Sequence, residues 1–393
     1  MILSANIGET VVKVLSDWKF WGAIISTLAV IFLGFLLTKK NILKKEWDKV
    51  FVKVVMVLGL PALALQGFLS NITVSTLINQ MGVLAIGFLF YSIMMFTSRY
   101  FFLKNNKDIQ DTLAMCVALA STTFFGLPIV SVIFGQEGTV SGNIFNVPYR
   151  IFLYSLALMI MSKKNLTATL TKEQKLEQKI KFKQLSVEEK QIIRNEKNIK
   201  IKNSLKSIFV NPILIATFIG LFIWITQLIP GIDILKDEKG NPASVLRIDV
   251  LFPPINNILK LIAGICTPLA YLAIGMSVAS SDIKAAVKSK LVWYSTFIKV
   301  LVAPTIILLM AIGYSSIGKA ITGNAVLTEA NLGALVVMTA APPASVVVSY
   351  AISFDKEKVL ASNLSVLSTL MSIIMMPFWI ILVKILGSTP LFS

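Results

Sequence analysis

The chain has 393 residues, is 55% hydrophobic and has a mean hydropathy of +0.78. Apolar runs of about 20 residues recur along almost its whole length, which excludes an ordinary soluble domain. Because the runs are continuous rather than alternating, they also exclude a membrane β-barrel. The formal net charge of +17 would suggest nucleic acid in a soluble chain, but here it sits mostly between apolar runs and reads as loop orientation.

In chain order, the mixed and polar start (1–16) carries no evident cleavable leader. Ten spans are then predicted, at 18–37, 50–69, 81–102, 113–134, 141–161, 208–229, 255–279, 291–313, 332–354 and 360–386. A segment rich in Lys, Glu and Gln, 162–206, separates spans 5 and 6. It suits either a surface helix on anionic lipid or a charged linker. With the N-terminus outside, the inner segments carry 26 Lys and Arg, the outer segments 7 and the spans 4. Both termini are therefore expected outside and 162–206 in the cytoplasm of a multi-pass, bacterial-type cell-membrane protein. The predicted fold is all-α and membrane-embedded: a first five-helix repeat (1–161), a basic linker (162–206) and a second five-helix repeat (207–393).

Five spans per half is odd, so similar halves would insert in opposite senses. Span 2 (LPALALQGFLSN) and span 7 (TPLAYLAIGMSVAS) share a proline, a Leu/Ala-rich turn and a glycine. Around the ends of spans 4 and 9, Phe134/Phe354, Glu137/Glu357 and Asn143/Asn363 coincide at a constant offset of 220. Span 4 holds Ser121, Thr122 and Thr123 followed by Gly126-Leu127-Pro128; span 9 holds Thr339, Pro342-Pro343 and Ser345. Proline removes a backbone donor and frees a carbonyl. Paired interrupted helices in inverted repeats point to a substrate site at mid-membrane.

The charges at that depth are basic. All twenty acidic residues fall in loops or at span ends, and the chain has no histidine, so the usual carboxylate or imidazole carriers of a coupled cation are missing from the spans. Arg150, in the middle of span 5, is the chief candidate to bind a carboxylate, because a guanidinium pairs with it bidentately. Lys299 and Lys260 are secondary candidates. Restarted helices after Pro128 and Pro343 would offer N–H groups to an anion, and Ser121, Thr122, Thr123, Thr339 and Ser345 would offer hydroxyls. Asn143 and Asn363 complete the candidate set. Cys116 and Cys266 lie in apolar runs without metal-ligand spacing and read as core residues. No enzyme motif, nucleophile–base pair or phosphate loop is present, and no cofactor is expected; sodium held on freed carbonyls stays open. The expected partners are the bilayer and a small organic anion, not nucleic acid.

These features resemble the auxin efflux carrier family, which includes plant auxin exporters and bacterial malate and malonate permeases. The resemblance rests on ten spans split by a basic loop and on LPALALQGFLS, FFGLPIVSVIFG, TPLAYLAIGMSVA and AAPPASVVVSYA followed by LSVLSTLMSIIMMPFW. It implies an inverted repeat like that of bile-acid–sodium symporters. Spans 1–2 and 6–7 would form a scaffold, spans 3–5 and 8–10 a moving transport domain, and the broken helices would cross at Pro128 and Pro343. It further implies a permease for malate or a similar dicarboxylate, working by alternating access and pairing as a homodimer through the scaffold. The alternative is a sodium-coupled organic anion symporter. Many relatives begin the span 4 motif with asparagine where this chain has Ser121, and a second family asparagine corresponds to Val347.

Overall fold

The computed structural model describes residues 12, 16, 18–162, 212–232, 234–237, 240 and 242–392. The predicted linker 162–206 lies outside them apart from Ser162. The described helices are α1 (Trp18–Lys39), α2 (Trp47–Phe68), α3 (Val74–Phe102), α4 (Lys107–Ala118), α5 (Thr122–Ser162), α6 (Pro212–Thr226), α7 (Ile248–Leu251), α8 (Pro253–Ser280), α9 (Ile283–Lys288), α10 (Lys290–Thr322), α11 (Glu329–Thr339), α12 (Ser345–Ser353) and α13 (Lys358–Gly387). Between α6 and α7, β1 (Leu235–Lys236) pairs antiparallel with β2 (Pro242–Ala243). Six helices, α2, α3, α5, α8, α10 and α13, are long and apolar enough to cross a membrane. The protein is thus an all-α membrane protein. Helices begin where short polar side chains take up orphan N–H groups: Thr73 caps α3, Asn106 caps α4, and Thr328 forms a capping box with Asn331 on α11.

The helices alternate in direction, so two faces can be distinguished. On the terminal face α1 begins and α13 ends; on the connecting face α5 ends and α6 begins. The predicted fourth and fifth spans have no loop between them. The fourth runs from the end of α4 into the arm 122–134 of α5 and the fifth is the arm 136–162, folded back at Gly135, whose φ of 61° and ψ of −146° lie where only glycine sits easily. Three of the prolines in the long helices are absorbed locally. Pro61, Pro128 and Pro304 each follow directly on a π-turn, at Val55–Gly59, Thr122–Gly126 and Ile298–Val302. The wider turn gives the ring room against the preceding carbonyls.

Close packing depends on small residues. α1 lies along α8, and a Cβ at Gly275 would overlap the carbonyl oxygen of Ile31. α2 crosses α8 where a Cβ at Gly59 would stand 3.0 Å from Cys266 Cα. Near the terminal face, Ser141 Oγ on α5 accepts from Asn331 Nδ2 of α11 (2.8 Å) and Gln80 Nε2 of α3 (3.1 Å). Near the connecting face, the backbone is left-handed at Asp355 and Glu357 (φ 48° and 52°), and Lys356 between them turns inward. Its ammonium lies 2.8 Å from Asp111 and 3.5 Å from Asp108 and donates to Ile160 O at 3.1 Å; Arg99 reaches Asp111 at 2.8 Å. One buried lysine thereby joins α4, α5 and the α12–α13 turn.

Gly135→Ala meets no neighbour within 4 Å, so its cost is backbone strain alone, about 1–3 kcal/mol. Lys356→Met removes the charge facing two carboxylates and should cost about 3 kcal/mol. Each should appear as a lower Tm in detergent, with Lys356→Met the more damaging.

Candidate functional site

The site grows from two breaks that solve each other's backbone problem. Consecutive prolines push the residue before each into extended backbone, so α11 stops at Thr339 and α12 starts only at Ser345. The opened strand meets the gap between α4 and α5: Ser121 N donates to Pro342 O at 2.7 Å, and Ala344 N donates to Leu119 O at 2.9 Å. Ala120 and Pro343 face each other as an antiparallel pair. The crossing expected at Pro128 therefore lies earlier, at Leu119–Ser121. Pro128 does not break its helix, because the π-turn before it accommodates the ring, and the unwinding is imposed by the partner segment instead.

Groups around the crossing are mostly tied into it. Lys299, fully buried, donates to Val117 O at 3.1 Å and so caps the C-terminal end of α4. Ser372 Oγ donates to Ala340 O at 2.9 Å and Trp379 Nε1 to Val300 O at 2.9 Å. Thr339 donates to Leu335 O of its own helix. Ser121 is buried, whereas Ser345 is exposed and its carbonyl accepts from Ser349 Oγ.

A different pattern surrounds Arg150. Asn146 and Arg150 stand one turn apart on one face of α5. Thr122 Oγ1 donates to Asn146 Oδ1 at 2.6 Å and Thr123 Oγ1 to the same atom at 3.3 Å. Arg150, 5% exposed, gives one guanidinium nitrogen to Thr217 Oγ1 on α6 at 3.2 Å. Arg150 Nη2 and Asn146 Nδ2 are buried donors with no acceptor among the described residues. A guanidinium there faces a neutral hydroxyl, and two unused donors lie beside the crossing. Such an arrangement can take a carboxylate.

The remaining candidates lie elsewhere. Asn143 donates to Ala64 O of α2 at 3.3 Å, toward the terminal face, while Asn363 is half-buried on α13 toward the connecting face; the offset that pairs them in sequence does not bring them together. Lys260 lines a cavity of about 860 Å³ that enters from the terminal face between α2, α8 and the bend of α5 around Gly135. Over its mouth Arg247 holds Asp249 bidentately (2.8 and 2.6 Å) and donates to Asn71 and Gln227.

Asn146, Thr217 and Arg247 are polar residues that the sequence reading did not single out. Asn146 had an available signal, being one turn before Arg150. Thr217 had none, since its role comes from the packing of α6. A family model described as membrane transport protein matches residues 20–380. No curated protein matches the chain.

Lys299 and Arg150 are both buried and basic, and their contacts predict opposite outcomes. Lys299→Met strands a helix-end carbonyl and should cost about 1–3 kcal/mol. Arg150→Met gives up only a hydroxyl contact while removing an uncompensated buried charge, and should be neutral or stabilising. Thermal unfolding of the two variants in detergent measures the contrast.

Proposed function

The chain belongs to the auxin efflux carrier family, and we propose that it is a secondary transporter that carries a small organic anion, malate or a similar dicarboxylate, across the cell membrane by alternating access. One observation carries this reading: a buried guanidinium with an unfilled donor, one turn from an unfilled amide, beside two crossing helix breaks. The hydroxyls of Thr122 and Thr123 suit a substrate with its own hydroxyl, and the helix starts after the crossing add donors for a second charge.

In this reading the ten spans form two inverted five-helix repeats. α4 with the first arm of α5 is the fourth span, and α11 with α12 is the ninth. α1, α2, α6 and α8 form the scaffold, and the other spans form the moving domain. Support comes from two meeting points: Ala120 against Pro343, where the breaks of the two halves pair, and Gly59 against Cys266, which align at a constant offset. The Lys and Arg distribution puts the connecting face in the cytoplasm and the terminal face outside.

The test is uptake of labelled L-malate into proteoliposomes under an imposed potential, with and without sodium. Wild type should accumulate malate, and Arg150→Ala should reduce flux by at least about tenfold, the value of one or more hydrogen bonds to a charged group. Movement of another carboxylate in place of malate would change the substrate alone. A strict sodium requirement would favour a sodium symporter. If no carboxylate moves, the anion reading fails.

A further inference from the structure

We infer that Lys260 is an anion-docking site at the mouth of the terminal-face cavity, and that Lys53 is its counterpart for the connecting face. The inference rests on the anion-carrier reading but concerns a place other than Arg150.

α8 is apolar overall, yet Asn256, Lys260 and Thr267 form a stripe at helical spacing, and all three line the cavity. At about 860 Å³ the cavity is large enough for a hydrated dicarboxylate. Among the described residues three cations line it, Lys236, Arg247 and Lys260, against two carboxylates, Asp237 and Asp249. Arg247 and Asp249 close on each other as a bidentate pair, and Lys236 adjoins Asp237 in the chain. Arg247 is thus engaged, and of the two lysines on the described lining Lys260 is the one set on a membrane-spanning helix, where it is exposed and faces the cavity. A cleft with a surplus of one sign concentrates small ions of the other.

The second half of the inference comes from register. The sequences of α2 and α8 align at a constant offset of 207, with Lys53 matching Lys260 and Pro61 matching Pro268, and Gly59 falling at Cys266. Gly59 and Cys266 are also where the two helices touch, so a two-fold axis between the helices passes close to that contact. Lys53 then lies as far toward the connecting face as Lys260 lies toward the terminal face, and it too is exposed. The cavity uses the first half of α8 and the second half of α2. Its symmetric counterpart uses the first half of α2, where Lys49 stands in the place of Asn256. Exchanging the two arrangements of the repeats would open one mouth and close the other, each with a lysine at the same depth.

Thiol chemistry tests this without any transported substrate. Cys116 and Cys266 are fully buried, so the wild type supplies the background rate. A reporter Asn256→Cys, one turn from Lys260, is treated from the terminal side with neutral, anionic and cationic methanethiosulfonates, each rate normalised to a free thiol. The anionic reagent should react about fivefold faster than the neutral one and the cationic reagent about fivefold slower, the effect of one unit charge a few ångströms away in water, and the anionic-to-cationic ratio should fall with salt. Lys260→Gln should bring the ratio to about 1, with the neutral rate unchanged as the check on folding. A ratio that survives Lys260→Gln, or a reporter that the neutral reagent does not reach, overturns the terminal-face site. Met56→Cys treated from the connecting side, with Lys53→Gln, decides the counterpart by the same two criteria. In transport, Lys260→Gln should raise KM from the terminal side about threefold with kcat unchanged, whereas Arg150→Ala should reduce flux by at least about tenfold. Failure of the carrier reading thus shows as absent flux, and failure of the docking site as an unchanged thiol ratio.

Discussion

Backbone amides inside a bilayer must find partners in the protein, because each unpaired group there costs several kcal/mol. The molecule breaks two helices at that depth, and the rest of its interior follows from how those breaks are closed. Residues 119–121 and 342–344 exchange backbone hydrogen bonds as a minimal antiparallel pair. Two sheet-like bonds between helical elements replace the helical bonds that each break gives up. The carbonyls just outside the exchange are then taken by side chains from α10 and α13, Lys299 on Val117 and Ser372 on Ala340. These contacts fix the crossing against its neighbours, and they explain why polar residues recur at the centre of an apolar chain.

Seen from this centre, the buried polar groups divide into two kinds. Lys356 with Asp108 and Asp111, Arg247 with Asp249, and Ser141 with Asn331 and Gln80 are contacts in which charges or donors find acceptors within the fold. Each binds segments distant in sequence. Arg150 and Asn146 each keep a donor that nothing in the described residues accepts, as do Tyr91, Arg99 and Trp224, but these two donors stand one turn apart beside the crossing. A structural role would be expected to fill both donors, because an unfilled buried donor costs free energy and confers no rigidity.

Much of the architecture was legible in the sequence because hydrophobic runs of the required length are a strong signal. The Pro342-Pro343 break was legible for the same reason, as proline acts locally. Its partner was not. Leu119, Ala120 and Ser121 contain no proline or glycine, and they unwind because a strand opposite offers bonds. Pro128 misled in the other direction, since a π-turn hides a proline inside an intact helix. Gly135 was read as part of a loop, although a single glycine with positive φ turns the chain without one. At the site, Arg150 stood out as the lone charge of its span. Asn146 was passed over in favour of Asn143, whose repeat match to Asn363 carries no contact between them. Thr217 could not be found, because only the docking of α6 puts it beside the guanidinium.

The resting partner of Arg150 is a hydroxyl, and this has an electrical consequence for a carrier. Arginine stays protonated at any physiological pH, so in the proposed carrier the empty site would hold one positive charge with no counter-ion among the described residues. Loaded with a monoanion, it becomes neutral; loaded with a dianion, it carries one net negative charge. A membrane potential does work of about 2.3 kcal/mol per elementary charge per 100 mV. For a dianion, the loaded carrier (−1) moving one way and the empty carrier (+1) returning the other would both respond to voltage in the same sense, two charges per cycle, whereas for a monoanion only the empty return would respond. The voltage dependence of the two half-cycles would therefore count the charges on the cargo.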